Sequence, residues 1–167
     1  TNTNTHGNTF VGYRSGEFST SSNNSFFGSH AGFNNVTGGQ NAFFGYFAGT
    51  GNTSGIGNTY FGYHAGSLNS VASGNSFFGR SAGFNTTAGA NSFFGSDAGN
   101  ANTMGANNTF VGNDAGAANT TANQNTFIGS NSGEVNTTGD SNTFVGYSSG
   151  ASNTTGANNT FVGRFAG

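Results

Sequence analysis

Residues Asn58 to Gly74 have the sequence N-T-Y-F-G-Y-H-A-G-S-L-N-S-V-A-S-G, and variants of this unit fill the 167-residue chain. The aromatic residue at its third position recurs every 16 or 17 residues. It occurs at Phe10, Phe26, Phe43, Tyr60, Phe77, Phe93, Phe110, Phe127, Phe144 and Phe161. A fixed period of this length is typical of one supersecondary unit repeated along a solenoid. We therefore predict a single repeat domain over residues 1–167, with ten repeats and no linker.

Each repeat contains one segment with the composition of a strand, followed by two glycines. The N-T-Y-F segment predicts a short strand that ends at Gly62. Gly62 and Gly66 have glycine counterparts in all ten repeats, which indicates a positive φ or a backbone approach too close for a Cβ. The segment around Asn69, which is N-T-T in four other repeats, predicts a second and more polar strand. Two glycines in so short a unit disfavour a helix.

These features predict an all-β fold. We expect a β-solenoid (a parallel β-helix or β-roll) of about ten 17-residue coils, with a rise of about 4.8 Å per coil. The 16-residue units, which start at Phe10 and Phe77, lack one residue in the polar half of the repeat. That half is therefore predicted to be a surface turn.

The composition narrows the classes of function. Three Arg and no Lys against five acidic residues give a formal net charge of −2, which argues against a nucleic-acid-binding surface and against polybasic attraction to a membrane. No apolar run approaches the roughly 18 residues of a membrane span. Because the chain has no Cys, it has neither a disulfide framework nor a thiolate metal site.

One Asn precedes the predicted strand in every repeat. Asn side chains at the same position of successive coils can stack into a hydrogen-bonded ladder, and this predicts an internal ladder rather than a ligand site. The predicted ladder consists of Asn8, Asn24, Asn41, Asn58, Asn75, Asn91, Asn108, Asn125, Asn142 and Asn159.

Pairs of adjacent aromatic residues in the strands predict a surface for assembly. Neighbours in a strand point to opposite faces, so one side chain of each pair fills the interior and the other must meet another sheet or another chain. The predicted core and assembly residues are Phe26, Phe27, Phe43, Phe44, Tyr60, Phe61, Phe77, Phe78, Phe93 and Phe94. We expect Phe44 and Phe78 to be largely inaccessible in the assembled state, because a long exposed apolar stripe is rare on soluble monomers.

The residues between the two glycines vary most and predict an outward row of turn residues. His30 and His64 lie two repeats apart, too far to share a metal ion. Asp97 and Asp114 lie one repeat apart, but no nucleophile or oxyanion donor accompanies them. We therefore predict a protein that is not an enzyme, with no catalytic residue, cofactor or metal, whose Tyr, Arg and His in this row are available to a cell-surface glycan or protein receptor.

The Asn-Thr-rich repeat also generates Asn-x-Ser/Thr sequons, which are acceptor sequences for N-linked glycans. The candidate glycosylation sites are Asn52, Asn85, Asn119, Asn136 and Asn153.

The two ends of the sequence match in phase. Gly167 is the second glycine of the tenth repeat, and Thr1 to Gly7 resemble the polar half-repeat that follows such a glycine. Neither end carries a charged or Pro-bearing cap of the kind that protects an open sheet edge. This pattern predicts that the chain partners itself, either head to tail in a filament or laterally in a homo-oligomer such as a trimer, unless it is a window from a longer array.

The unit from Asn142 to Asn158, N-T-F-V-G-Y-S-S-G-A-S-N-T-T-G-A-N, resembles repeats of bacterial and phage-like tail-fibre-domain proteins. More distantly it is similar to the head repeats of trimeric autotransporter adhesins. The resemblance implies an extracellular or cell-surface β-solenoid that serves as a fibre, appendage or scaffold segment in adhesion. The alternative from the residues is an ice-binding protein with a Thr/Asn-rich face, on which Thr86-Thr87, Thr120-Thr121, Thr137-Thr138 and Thr154-Thr155 would align.

Overall fold

The computed structural model describes residues 6–167 and confirms the predicted β-solenoid. Ten three-residue strands form one parallel sheet in which each strand pairs only with its neighbours along the chain. The register is regular, so that Phe93 lies opposite Phe77 of the preceding strand and Phe110 of the following strand. The strands are β1 (Thr9–Val11), β2 (Ser25–Phe27), β3 (Ala42–Phe44), β4 (Thr59–Phe61), β5 (Ser76–Phe78), β6 (Ser92–Phe94), β7 (Thr109–Val111), β8 (Thr126–Ile128), β9 (Thr143–Val145) and β10 (Thr160–Val162). We number each coil by its strand.

The prediction of a second strand in the N-T-T segment is wrong. The described segments outside β1 to β10 are turns, bends and irregular backbone, although they also hydrogen bond from coil to coil, as in the bond from Thr120 N to Thr137 O (3.0 Å). The physical reason is a side-chain bridge within the coil. Asn119 Nδ2 donates to Ala122 O, three residues further on (3.1 Å), and this bond curves the N-T-T segment into a turn.

Both glycine positions have the geometry that the sequence predicts. At the first position, Gly79 has φ = +146°, and a Cβ there would overlap the carbonyl group of Gly95 in the next coil. At the second position, Gly83 has φ = +58°, and a Cβ would overlap the ring of Phe77. The first glycine allows two backbones to approach, and the second makes room for the core aromatic ring.

The structure also contains a feature that the sequence did not indicate. One non-glycine residue between the two glycines adopts the left-handed conformation in every coil, and bulky residues such as Phe47 (φ = +58°) and His64 (φ = +56°) are among them. A second left-handed position lies just before the ladder Asn, where Ala90 has φ = +59° and Gly74 has φ = +71°. This conformation costs a non-glycine residue about 1–2 kcal/mol, which the coil-to-coil hydrogen bonds of the turns offset.

Replacing Ala90 by glycine should therefore stabilise the protein. Relief of the left-handed strain exceeds the extra entropy of glycine in the unfolded chain, so we expect a gain of about 0.5–1 kcal/mol. The matched control is Gly74→Ala at the same position of the previous coil, where an added Cβ meets no atom within 4 Å. Denaturant unfolding should shift in opposite directions for the two variants, and shifts of the same sign would contradict the explanation.

A column of aromatic rings forms the core. The first aromatic residue of each strand points inward, and the rings from Phe10 to Phe161 stack with centroids 4.8–5.0 Å apart and planes within 4–11° of parallel. Alanines beside the second glycine, such as Ala82 and Ala98, complete the buried cluster. The spacing matches the separation of hydrogen-bonded strands, so each ring fills the height of one coil.

Tyr60 is the one column member with a hydroxyl group, which accepts a hydrogen bond from Asn69 Nδ2 (2.7 Å). Burial raises the pKa of the Tyr60 phenol well above its ordinary value. The unfolded chain then releases this proton more readily than the folded chain. The contribution of Tyr60 to the free energy of unfolding is therefore constant below about pH 10 and falls by about 1.4 kcal/mol per pH unit above it.

We expect Tyr60→Phe to remove this contribution to alkaline destabilisation, as measured by urea unfolding at pH 8 and pH 11. An equal loss of stability in both proteins would contradict the assignment to Tyr60.

Candidate interaction surface

The predicted Asn ladder is present along the described coils. Its members from Asn24 to Asn142 are buried, and the Oδ1 atom of each accepts a hydrogen bond from the backbone N–H of the Asn in the next coil at 2.8–3.0 Å. The amide nitrogen commonly donates to a backbone carbonyl in the polar turn at the end of its coil, as in the bond from Asn108 Nδ2 to Ala122 O (2.8 Å). The ladder therefore joins side chains mainly to backbone, whereas the sequence predicted bonds from one side chain to the next.

A second row of Asn, three residues after the second glycine, does form bonds between side chains. Asn52 Nδ2 donates to Asn35 Oδ1 (2.6 Å), and Asn119 Nδ2 donates to Asn102 Oδ1 (2.7 Å). Several members of this row are also predicted sequon residues, and the sequon pattern gives no indication of a ladder. The signal that could have revealed it is the constant distance of these residues from the second glycine.

The second row affects the candidate glycosylation sites. Asn52, Asn119 and Asn136 are fully buried, and their amide nitrogens are engaged in the ladder. A glycan on these atoms is incompatible with the folded coil, which argues against modification at the three positions. Asn85 and Asn153 are half-buried.

Coil length and residue type are linked in this row. The two 16-residue coils carry Ser19 and Thr86 where the 17-residue coils carry Asn. In the longer coils other than coil 4 the Asn amide bridges to a carbonyl three residues on, as Asn102 does to Gly105 O (2.8 Å). In coil 4, Asn69 instead accepts from Ala72 N (3.0 Å). The shorter coils have lost one residue from the turn that this bridge spans. Thr86 is consequently buried with its hydroxyl group unpaired, and it does not lie on the outward Thr row.

The structure separates the two side chains of each aromatic pair. Phe26, Phe43, Tyr60, Phe77 and Phe93 are fully buried. Phe27, Phe44 and Phe78 are half-buried, and Phe61 and Phe94 are 55% and 39% exposed. The second residues lie on the outer face of the sheet, where the described residues form no second sheet that covers them. We call this row the outer stripe: Val11, Phe27, Phe44, Phe61, Phe78, Phe94, Val111, Ile128, Val145 and Val162.

The outer stripe lies on an uncharged surface. The strand residues beside it on the same face are Thr, Ser or Ala, and no residue of β1 to β10 is charged. Neighbouring rings in the stripe stack on each other, with Phe27 and Phe44 centred 4.8 Å apart and Phe61 and Phe78 6.2 Å apart. An apolar row of this length is characteristic of a surface that binds a partner.

The outward row of turn residues between the two glycines contributes to both ion pairs of the described residues and also contains several exposed aromatic residues. Arg14 pairs with Glu17 and holds the pKa of that carboxyl below its usual range, and Arg80 pairs with Asp97 in the next coil. His64 stacks on Phe47 (5.2 Å), and partial burial lowers the pKa of its imidazole. The rings of this row mostly cover one another along the solenoid axis, which leaves their edges to solvent.

The part of the chain that the structure describes offers little enclosed space. Residues 6–167 have no pocket and no group of three or more His, Cys, Asp or Glu placed to hold a metal ion. Within the same residues, no helix has the length and hydropathy needed to cross a bilayer.

The fold and its ladders define the class of this protein as a β-solenoid repeat protein with buried Asn ladders. Comparison with protein-family models, with curated proteins and with solved structures finds no match. Functional inference therefore depends on the surfaces described above.

Proposed function

We propose that the chain is a structural protein, a rod segment of an extracellular or cell-surface fibre or appendage that serves adhesion or scaffolding. The main support for the proposal is that the packing and hydrogen bonding of the interior continue from coil to coil. The aromatic column and the Asn ladder pass through every described coil with nearly constant spacing. In such an array each added coil contributes another nearest-neighbour interface, so length is gained without loss of stability.

Head-to-tail growth is the corresponding mode of assembly. Coil 10 leaves Phe161 and Asn159 only partly covered, and a further coil placed on it would extend both rows. The junction expected from the sequence, between Gly167 and Thr1 of a second copy, includes Thr1, which lies outside the described residues. Electron microscopy of the purified chain tests this assembly: unbranched filaments with a layer spacing near 4.8 Å support it, and uniform particles about one chain long contradict it.

Ice binding is the second candidate, and a row of hydroxyl groups favours it. Thr103, Thr120 and Thr137 occupy one position in successive coils, and the hydroxyl of each donates to the carbonyl of the residue at that position in the next coil at 3.0–3.1 Å. These bonds fix the hydroxyls in a regular array. Assays of thermal hysteresis and ice recrystallisation distinguish the candidates, since activity is expected of an ice-binding face and not of a structural rod.

A further inference from the structure

The outer stripe is graded in side-chain size along the solenoid. Coils 2 to 6 present Phe27, Phe44, Phe61, Phe78 and Phe94, whereas coils 7 to 10 present the β-branched residues Val111, Ile128, Val145 and Val162. The inner aromatic column shows no such change. The gradient therefore belongs to the outer face and has no counterpart in the packing of the core.

We propose that the outer stripe binds the outer stripe of a second copy of this chain, with the two solenoids antiparallel. The inference deepens the proposed structural role and rests on it in assigning lateral contact between rods. A twofold axis between coils 5 and 6 places the Phe residues of coils 2 to 4 opposite the β-branched residues of coils 7 to 9. The five facing pairs are Phe27 with Val145, Phe44 with Ile128, Phe61 with Val111, Phe78 with Phe94, and Val11 with Val162 at the two ends.

Size matching favours this orientation over a parallel one. Close-packed interfaces alternate large and small side chains across facing positions. Parallel solenoids in register would place Phe61 against Phe61 and Val111 against Val111, which separates the sheets at one end and leaves a gap at the other. The antiparallel pair keeps the combined size of each facing pair nearly constant along most of the stripe.

The extent and charge of the face suit a second copy. Phe61 is 55% exposed and Ile128 is 40% exposed in the single chain. A Phe side chain buries roughly 150–250 Å² of accessible surface when it is fully covered. At these exposures, the ten stripe positions and the adjoining Thr and Ser would bury on the order of 700 Å² of accessible surface per copy. This area is close to the roughly 800 Å² per partner of a standard interface. Because the strands are uncharged, contact buries no unpaired charge.

The orientation can be measured with spin labels on introduced cysteines, since the chain has none of its own. Tyr13→Cys in coil 1 and Arg80→Cys in coil 5 lie in the row after the first glycine. In the antiparallel dimer the two Tyr13→Cys labels are nine coil steps apart along the axis, or about 43 Å. The two Arg80→Cys labels are about one coil step apart. Short distances from both variants would indicate parallel pairing and overturn the inference.

Facing positions are tested by exchanging side chains in the full chain. Ile128→Phe should crowd Phe44 of the other copy and weaken dimerisation at least tenfold, and adding Phe44→Ile should restore it, because each position occurs twice in a symmetric interface. Parallel pairing predicts no restoration. As a control for the surface itself, Phe61→Thr should weaken dimerisation at least tenfold, whereas Val71→Thr, an equally exposed position of the same coil, should not.

Sedimentation of the chain separates this inference from the proposed function. A folded monomer at every concentration tested would overturn the antiparallel pairing. The rod proposal is tested separately, by electron microscopy. Filaments whose labels report no antiparallel contact would overturn the pairing while supporting the rod. A concentration-dependent dimer that the exchange variants weaken and restore supports it.

Discussion

Gly79→Ala should disrupt the solenoid at coil 5. An added Cβ would overlap the carbonyl carbon and oxygen of Gly95, which are backbone atoms of the next coil and have no alternative rotamer, at a φ of +146° that is unfavourable for alanine. Both effects act on the same coil-to-coil contact. We expect a loss of at least about 4 kcal/mol in the free energy of unfolding, in the range of the most severe single substitutions.

Trypsin provides a local readout for this variant. The chain has three Arg and no Lys, and Arg80 directly follows the substituted glycine. In the native coil its carbonyl accepts from Asp97 N, and the next residue donates to Tyr63 O, both at 2.8 Å. Separation of coils 5 and 6 frees this backbone, so Gly79→Ala should be cleaved into residues 1–80 and 81–167.

Gly74→Ala is the matched control, because Gly74 lies just before β5, also has a positive φ, and has no atom within 4 Å of the added Cβ. It should cost about 1 kcal/mol and leave Arg80 protected. If Gly79→Ala is as stable and as resistant to trypsin as Gly74→Ala, close approach of the backbones is not what requires the first glycine.

The parts of the fold that the sequence predicted correctly are those where one physical requirement repeats in every coil. The glycine at the position of Gly79, the ring at Phe93 and the Asn at Asn91 each meet nearly the same environment in every interior coil, so their periodic recurrence in the sequence reveals the requirement. A single copy of any one of them would have supported a much weaker prediction.

The missed features have less distinctive side chains or an ambiguous motif. The left-handed turn position is occupied by residues as different as Phe47, Asp97 and Ser148, so residue type gives no signal and the hydrogen bonds between coils decide the conformation. The second Asn row was obscured because an Asn-Thr-rich repeat produces sequons by composition. The polar strand was predicted from Thr content, whereas the side-chain bridge from Asn119 to Ala122 bends that segment.

The outer stripe was predictable only in part. Alternation along the strand assigned Phe94 and Phe93 to opposite faces, and the structure places them there. The sequence left open whether the second face meets another sheet of the same coil. That alternative is eliminated for the described residues, because the sheet has a single layer and its outer face is uncovered. Burial of Phe44 and Phe78 by a partner remains a prediction.

The second large effect is expected from removing one member of the Asn ladder. Asn108 is buried, its Oδ1 accepts from the backbone N–H of Asn125 (2.9 Å), and its Nδ2 donates to Ala122 O (2.8 Å). Asn108→Leu keeps a similar volume and removes both bonds. The Asn125 N–H is then unpaired in the interior, whereas Ala122 O keeps its bond from Asn119 Nδ2. At about 1–3 kcal/mol for the unpaired N–H and about 0.5–1.5 kcal/mol for the other lost bond, we expect a loss of about 2–4 kcal/mol.

Hydrogen exchange can locate this loss within the rod. The Asn125 amide should lose protection more than amides several coils away, because stability in a solenoid is built from neighbouring contacts. The control is Asn113→Ala, an exposed Asn of the same coil whose side chain bonds only to the adjacent Asp114, and it should change stability by less than about 0.5 kcal/mol. Equal effects of the two substitutions would show that the ladder contributes no more than a surface amide, and the continuity of the interior would then rest on the aromatic column and the backbone bonds alone.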